Sequence, residues 1–272
     1  MDVFMIGGFQ PYEHLLALLL GTPRLFMFMQ VAPFMGGSIV TGQLRLTIVL
    51  ACYMLLHPML LGQLPPWAGL EAGSVLALGA LTIKEVFIGL LLGLLAGMMF
   101  WTIQCAGFFI DNQRGAGQAS AADPLSGDQT SPTGSFFFQS AVYVFFSTGA
   151  FLTCLGVIYS SYELWPVSNA LPAAFLKNPE AVLFFAGKVG KLALDMMLLS
   201  GPVVVACLLT DISLGLINRF ASQLNVYVLA MPIKSGVASL LLIFYFGMLM
   251  TGAVRMFDSF GGDLNYLKAL MP

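Results

Sequence analysis

The chain has 272 residues but only 24 charged side chains, 11 basic and 13 acidic. That is 9% of the chain, against about 25% in an ordinary globular domain. So few charges cannot cover the surface of a water-soluble domain, and 23 phenylalanines exclude intrinsic disorder. An integral membrane protein remains, or a subunit packed among other apolar subunits. The net charge of −2 supplies no attraction for nucleic acid. Cys52, Cys105, Cys154 and Cys207 each sit in an apolar run, without metal-ligand spacing. They read as small buried hydrophobes. His14 and His57 lie far apart in sequence, which argues against paired axial haem ligation. No removable signal peptide is expected, because the first 14 residues hold Asp2 and Glu13 and no Lys or Arg.

Continuous apolar runs predict helices at about 14–35, 44–61, 75–110, 136–160, 181–218 and 234–256. A spanning β-barrel would instead alternate polar and apolar residues. Residues 75–110 would form a helix of about 54 Å, nearly twice a hydrocarbon core of about 30 Å. Residues 181–218 would reach about 57 Å. Gly201-Pro202 predicts a kink or hairpin break in the second, because proline removes a backbone donor. Basic residues are too evenly spread over the loops (Arg45, Arg114, Lys177, Lys234) to assign sidedness.

Taken in chain order, Lys84 and Glu85 fall inside the first long apolar segment, where the helix would leave the apolar layer. Gly89, Gly93 and Gly97 follow at i, i+4, i+8, a smooth stripe that suits close helix packing or a subunit interface. Segment 111–134, DNQRGAGQASAADPLSGDQTSPTG, differs in composition from all the rest. Asp111, Asn112, Gln113, Arg114, Gly115, Gly117, Asp123, Pro124, Gly127, Asp128, Ser131, Pro132 and Gly134 make it polar, turn-rich and free of aromatics. A loop of this length is either an exposed connector or a mobile segment at a pore or cavity. Lys188, Lys191 and Asp195 share a helical face, and Asp211 and Arg219 follow. As charges within apolar segments they are expected to be buried against protein, or to face water. Segment 219–235 reads as a short linker, with Pro232 ending or kinking a helix. Gly261-Gly262-Asp263 is a weak echo of intramembrane aspartyl proteases, in a polar tail. No GxSxG, HExxH or P-loop motif occurs. The expected protein is therefore not an enzyme and uses no cofactor or metal.

Two blocks then carry a resemblance. One is Gly107-Phe-Phe-Ile-Asp111-Asn-Gln-Arg114-Gly115, running on through Asp123-Pro124 and Gly127 to Ser131-Pro132-Thr133-Gly134. The other is Leu224-Asn225-Val226-Tyr227-Val228-Leu229-Ala230-Met231-Pro232-Ile233-Lys234-Ser235. Arg24 to Pro33, followed by Arg45, is a weaker third. The chain resembles the SctT family (YscT/SpaR/HrcT) of type III secretion export-apparatus proteins, whose flagellar relative is FliR. The resemblance implies an all-α, membrane-associated fold of hydrophobic helices and helix hairpins within one export-gate domain. An SctR-like part would cover about 1–180, with a polar plug loop at 111–134. An SctS-like hairpin and tail would cover about 181–272. It also implies a pore-forming complex with SctR and SctS in the bacterial inner membrane, accompanied by SctU and the SctV export ring. Unfolded proteins would be its substrates. Leu224, Asn225, Pro232 and Lys234 would lie at the subunit interface. The competing class is a stand-alone multi-pass permease or intramembrane enzyme.

Overall fold

The computed structural model describes residues 11–36, 40–64, 72–115, 131–170, 178–220 and 226–269. All regular structure among them is helical: α1 (Pro11–Val31), a 3-10 turn (Pro33–Met35), α2 (Gly42–Leu61), α3 (Ala72–Arg114), α4 (Pro132–Ser147), α5 (Ala150–Leu164), α6 (Pro179–Phe220) and α7 (Val226–Ala269). A helix satisfies every mid-chain backbone group internally, which is what an apolar chain in lipid requires. Five of these helices are long and apolar enough to cross a membrane, and the bent pair α4–α5 would make a sixth.

The chain folds into two units that interleave along the sequence. The first holds Met1–Gly97, Phe151–Phe184 and Phe260–Pro272; the second holds Met98–Ala150 and Phe185–Ser259. Each draws on both sides of residue 180.

In the first unit α1 and α2 run antiparallel, and Gly21 marks their close approach. A Cβ there would lie 2.4 Å from Leu60 Cδ1 and 3.0 Å from Tyr53 Cε2. The middle of α3 packs on α1 by the same device. A Cβ on Gly89 would meet the Arg24 carbonyl oxygen at 2.4 Å, and one on Gly93 would meet Val31 Cβ at 2.9 Å. Gly97, the third member of the stripe, is buried. The partner of Gly89 and Gly93 is thus a helix of the same chain. Leu20, Leu25, Phe28, Met29, Phe34, Leu92 and Ile158 fill this core.

The second unit is centred on aromatic rings. Phe100, Phe145 and Phe257 contact one another at centroid distances of 5.1–5.3 Å and are buried. Such pairs add to the area they bury when offset or edge-on. Helices α6 and α7 form an antiparallel hairpin, with Asp211 beside Lys234 and Leu199 against Gly252. Their outer faces expose Leu194, Leu198, Leu209, Ile212, Ile243, Phe244 and Met248.

Three expectations change. The predicted helix 136–160 is two helices bent by 75°. Gly149, at φ +75°, ends the first, and its N–H donates to the Phe146 carbonyl. Glycine populates that left-handed region without a Cβ penalty. Pro202 neither breaks α6 nor begins a hairpin, since the 42-residue helix continues through it. Pro232 likewise lies within α7, which begins at Val226. Helix α3, with Lys84 and Glu85 inside it, is one continuous helix of 43 residues. At 1.5 Å per residue it is about 64 Å long, and α6 and α7 are close to it in length. All three exceed a bilayer core of about 30 Å.

Candidate functional site

The polar segment 111–134 begins in the last turn of α3 and ends in the first turn of α4. Both ends lie in the second unit, where glycines bring the two backbones together. A Cβ on Gly107 would stand 2.6 Å from Gly134 Cα, and one on Gly134 would stand 2.8 Å from Ser131 Oγ and 3.0 Å from the Gln104 carbonyl oxygen. One helical turn beyond Gly107, Asp111 therefore falls at the N-terminus of α4.

That placement makes Asp111 a clamp. Its Oδ2 accepts the Ser131 hydroxyl at 2.6 Å and the Thr133 backbone N–H at 2.9 Å. Its Oδ1 stands 2.7 Å from Arg114 Nη2, held by charge rather than by an aligned hydrogen bond. The carboxylate is buried. An anion at a helix N-terminus is favoured by the exposed N–H groups and the helix dipole. Ser131 caps α4 by accepting the Gly134 N–H at 2.9 Å, and Pro132 follows at the first helical position. Proline suits that position because its missing donor would have no partner there. Ser131-Pro132 is thus a helix start rather than a turn.

Arg114 extends the clamp to α7. Nη2 donates to Thr133 Oγ1 at 3.1 Å, and Nη1 reaches Ser235 Oγ at 3.5 Å. Gly115 adopts φ +84°, and a Cβ on it would approach Met231 Cγ at 3.5 Å. Next to Ser235, Lys234 Nζ pairs with Asp211 on α6, at 3.1 Å from Oδ1 and 3.3 Å from Oδ2. Residues from α3, α4, α6 and α7 therefore meet at the base of the loop. The two sequence blocks, Gly107–Gly134 and Leu224–Ser235, supply nearly all of them.

Residues 15–260 match the family model described as "Bacterial export proteins, family 1". The chain belongs to that family. It is 38% identical over 242 residues to Yop proteins translocation protein T of Yersinia pestis, covering 89% of this chain and 90% of that one. It is 31% identical over 236 residues to the surface presentation of antigens protein SpaR of Salmonella typhimurium, covering 86% and 84%. It is 35% identical over 163 residues to the flagellar biosynthetic protein FliR of Bacillus subtilis, covering 60% and 62%.

This member of the bacterial export family carries a second polar cluster, in its first unit. Arg24 Nε donates to Glu85 Oε2 at 2.7 Å, Nη1 to Ser161 Oγ at 3.0 Å and Nη2 to the Trp165 carbonyl at 2.8 Å. Its guanidinium lies 4.0 Å from the Tyr162 ring centroid. Lys84 Nζ stands 2.7 Å from Glu85 Oε1 and donates to the carbonyls of Pro166, Val167 and Asn169 at 2.9–3.2 Å. Arg24 and Glu85 are wholly buried. Two cations face one carboxylate, and the surplus positive charge is met by carbonyl oxygens just past the C-terminal, negative end of α5. The cluster ties α1, α3 and the segment after α5 together. Glu85 and Lys84 were visible in the sequence as charges in an apolar run; Ser161, Tyr162 and the Trp165 carbonyl gave no such signal.

Other expected site residues fall elsewhere. Gly117, Asp123, Pro124, Gly127, Asp128, Leu224 and Asn225 lie outside the described residues. Asn112 and Pro232 are exposed, and Gln113 is half-buried. Of the charges in apolar segments, expected to face either protein or water, Lys84 and Glu85 are buried within this chain. Lys188, Asp195 and Asp211 are half-exposed, while Lys191 and Arg219 are exposed. The reason is that α6 has few neighbours within this chain: only 22% of its most apolar window is covered. Among the described residues no group of three or more His, Cys, Asp or Glu side chains could hold a metal.

Proposed function

We propose that this export-family protein is a structural and gating subunit of a type III secretion export apparatus. It assembles with SctR and SctS into the inner-membrane pore through which unfolded proteins enter the secretion path. SctU and the SctV ring are its further neighbours. In this reading the chain performs no chemistry of its own. It contributes apolar helices to the wall and the polar segment 111–134 as the plug. The SctR-like part ends near residue 180, and the SctS-like part is the α6–α7 hairpin with its tail.

The observation that carries the reading is the clamp at the base of the loop. Asp111, Arg114, Ser131, Thr133 and Ser235 hold both ends of a Gly-rich segment against α7. A segment fixed at both ends and polar between them can occlude a pore in one state and rearrange in another without unfolding the wall. The exposed apolar faces of α6 and α7 supply surface for neighbouring subunits or lipid. Deletion of residues 116–127, which leaves the clamp in place, tests the assignment. The complex is expected to assemble at normal yield and to leak ions across the inner membrane. A deletion complex that assembles and stays as ion-tight as the wild type overturns it.

A further inference from the structure

Arg45 is a buried cation that lacks an anion. It stands in the first turn of α2 and is 7% exposed. Its guanidinium folds back over the start of its own helix. Nη1 donates to Gln30 Oε1, at the end of α1, and Nη2 reaches the Val40 carbonyl at 3.5 Å, too long for a strong hydrogen bond. Nε is buried and has no partner. Among the described residues no carboxylate pairs with Arg45, and Glu85, Asp111 and Asp211 each face another cation. A charge withdrawn from water in this way is costly until it is paired. The helix start adds to the positive potential. Its first N–H groups have no acceptor within the helix, and Thr41 at the cap gives them no side-chain hydrogen bond.

The place of this cation says what kind of anion meets it. Helix α2 has 20 residues, about 30 Å of helix, which matches the hydrocarbon core of a bilayer. When α2 crosses a membrane, its first turn lies at headgroup level. There Thr41, Gly42 and Gln43 are exposed. The outward half of the helix beyond them exposes Leu44, Leu46, Leu50, Met54 and Leu55. From Leu44 to Leu55 the strip runs about 16 Å, the depth of one leaflet. We propose that Arg45 and the N-terminus of α2 form a headgroup site for an anionic phospholipid, whose phosphodiester supplies the missing counter-charge while an acyl chain lies along the exposed leucines. Nε and Nη2 sit side by side on the guanidinium, a fork that fits two phosphate oxygens. The helix N-terminus favours the same group. Gln30 is exposed, so its side chain is free to turn outward and open the approach. A zwitterionic lipid brings an ammonium of its own to a site that is already positive, which selects against it. A carboxylate of another chain fits the fork but leaves the apolar strip unused.

The test titrates the full-length protein in detergent with dioleoylphosphatidylglycerol in mixed micelles and counts retained lipid by native mass spectrometry. One phosphatidylglycerol per chain is expected to bind about tenfold or more tighter than dioleoylphosphatidylcholine. In Arg45→Gln that affinity is expected to fall about 10–100-fold, as a charge-assisted pair is lost. Gln30→Glu places a carboxylate beside Arg45 at an exposed position, so it keeps the fold and is expected to lose the lipid to the same degree. It keeps the test valid if Arg45→Gln fails to fold. Inorganic phosphate, which has no acyl chain, is expected not to displace the lipid at equal concentration. Equal binding of the two lipids, unchanged phosphatidylglycerol binding in either variant, or displacement by equimolar inorganic phosphate each overturns the proposal, and unchanged binding in both variants would point instead to a neighbouring subunit's carboxylate.

Discussion

Asp111→Asn isolates what the clamp contributes, because it removes a charge and keeps the shape. Asp111 Oδ2 accepts two hydrogen bonds, from Ser131 and Thr133, while Oδ1 faces Arg114 at 2.7 Å. The asparagine carbonyl oxygen can keep the Oδ2 position and both donors. The amide NH2 then points at the Arg114 guanidinium, donor against cation. A hydrogen bond to a charged acceptor is worth about 1.5–3 kcal/mol and a neutral one about 0.5–1.5, so neutralising two of them costs about 2–3 kcal/mol. Little of this is screened, since the carboxylate is 3% exposed. The loss falls on the first turn of α4, whose Thr133 N–H bonds to the carboxylate directly. Amide exchange of Thr133 and Gly134 is therefore expected to speed up about 30- to 150-fold, since 1.4 kcal/mol is a factor of ten. Amides in the middle of α3, near Ala96, are expected to keep their protection. Hydrogen exchange on the purified protein, read by mass spectrometry over peptides covering 131–137, provides the measurement. Unchanged protection of Thr133 and Gly134 in a folded Asp111→Asn protein would refute the clamp.

Three further outcomes follow from the packing. Gly89→Ala forces a methyl to 2.4 Å from the Arg24 carbonyl oxygen, a backbone atom of a residue itself held by Glu85, Ser161 and Trp165. It is expected to destabilise the chain by about 1–3 kcal/mol in detergent melts, whereas Gly79→Ala, with nothing within 4 Å, stabilises α3. Equal melting shifts for the two would count against the α1–α3 contact. Arg24→Met leaves Glu85 buried with Lys84 as its one cationic partner and is expected to cost about 3–5 kcal/mol, seen as loss of folded protein on extraction. Lys191→Met, at an exposed position, is expected to stay within about 0.5 kcal/mol of wild type. Gly149→Ala meets no neighbour but must hold φ +75°, at a cost of about 1–2 kcal/mol. Gly149→Asn is expected to be milder, and a melting temperature no lower in Ala than in Asn would contradict the left-handed cap.

Length, hydropathy and charge count were enough to establish an apolar helical chain, because burial of backbone polar groups in lipid leaves few other choices. The motif blocks around Asp111–Gly115, Ser131–Gly134 and Val226–Ser235 were likewise legible, and they carried the family. Helix ends were less so. Proline at 202 and 232 suggested a kink or a break, and α6 and α7 run on unbroken through both, while Gly149, one glycine among 29, gave no warning of a 75° bend. The contacts between distant positions belong to the tertiary structure alone. A charge in an apolar run signals that it needs a partner, but not whether that partner is Ser161, a carbonyl at Trp165 or open solvent. Glu85 and Lys191 looked alike in sequence; only packing made one wholly buried and left the other exposed. The contact of His14 Nδ1 with His57 Nε2 at 2.8 Å shows the same limit, since separation along the chain does not say which helices pack side by side. Residue chemistry is local and can be read in order, whereas proximity depends on how the helices cross, and here glycines at 21, 89, 93, 107 and 134 set those crossings.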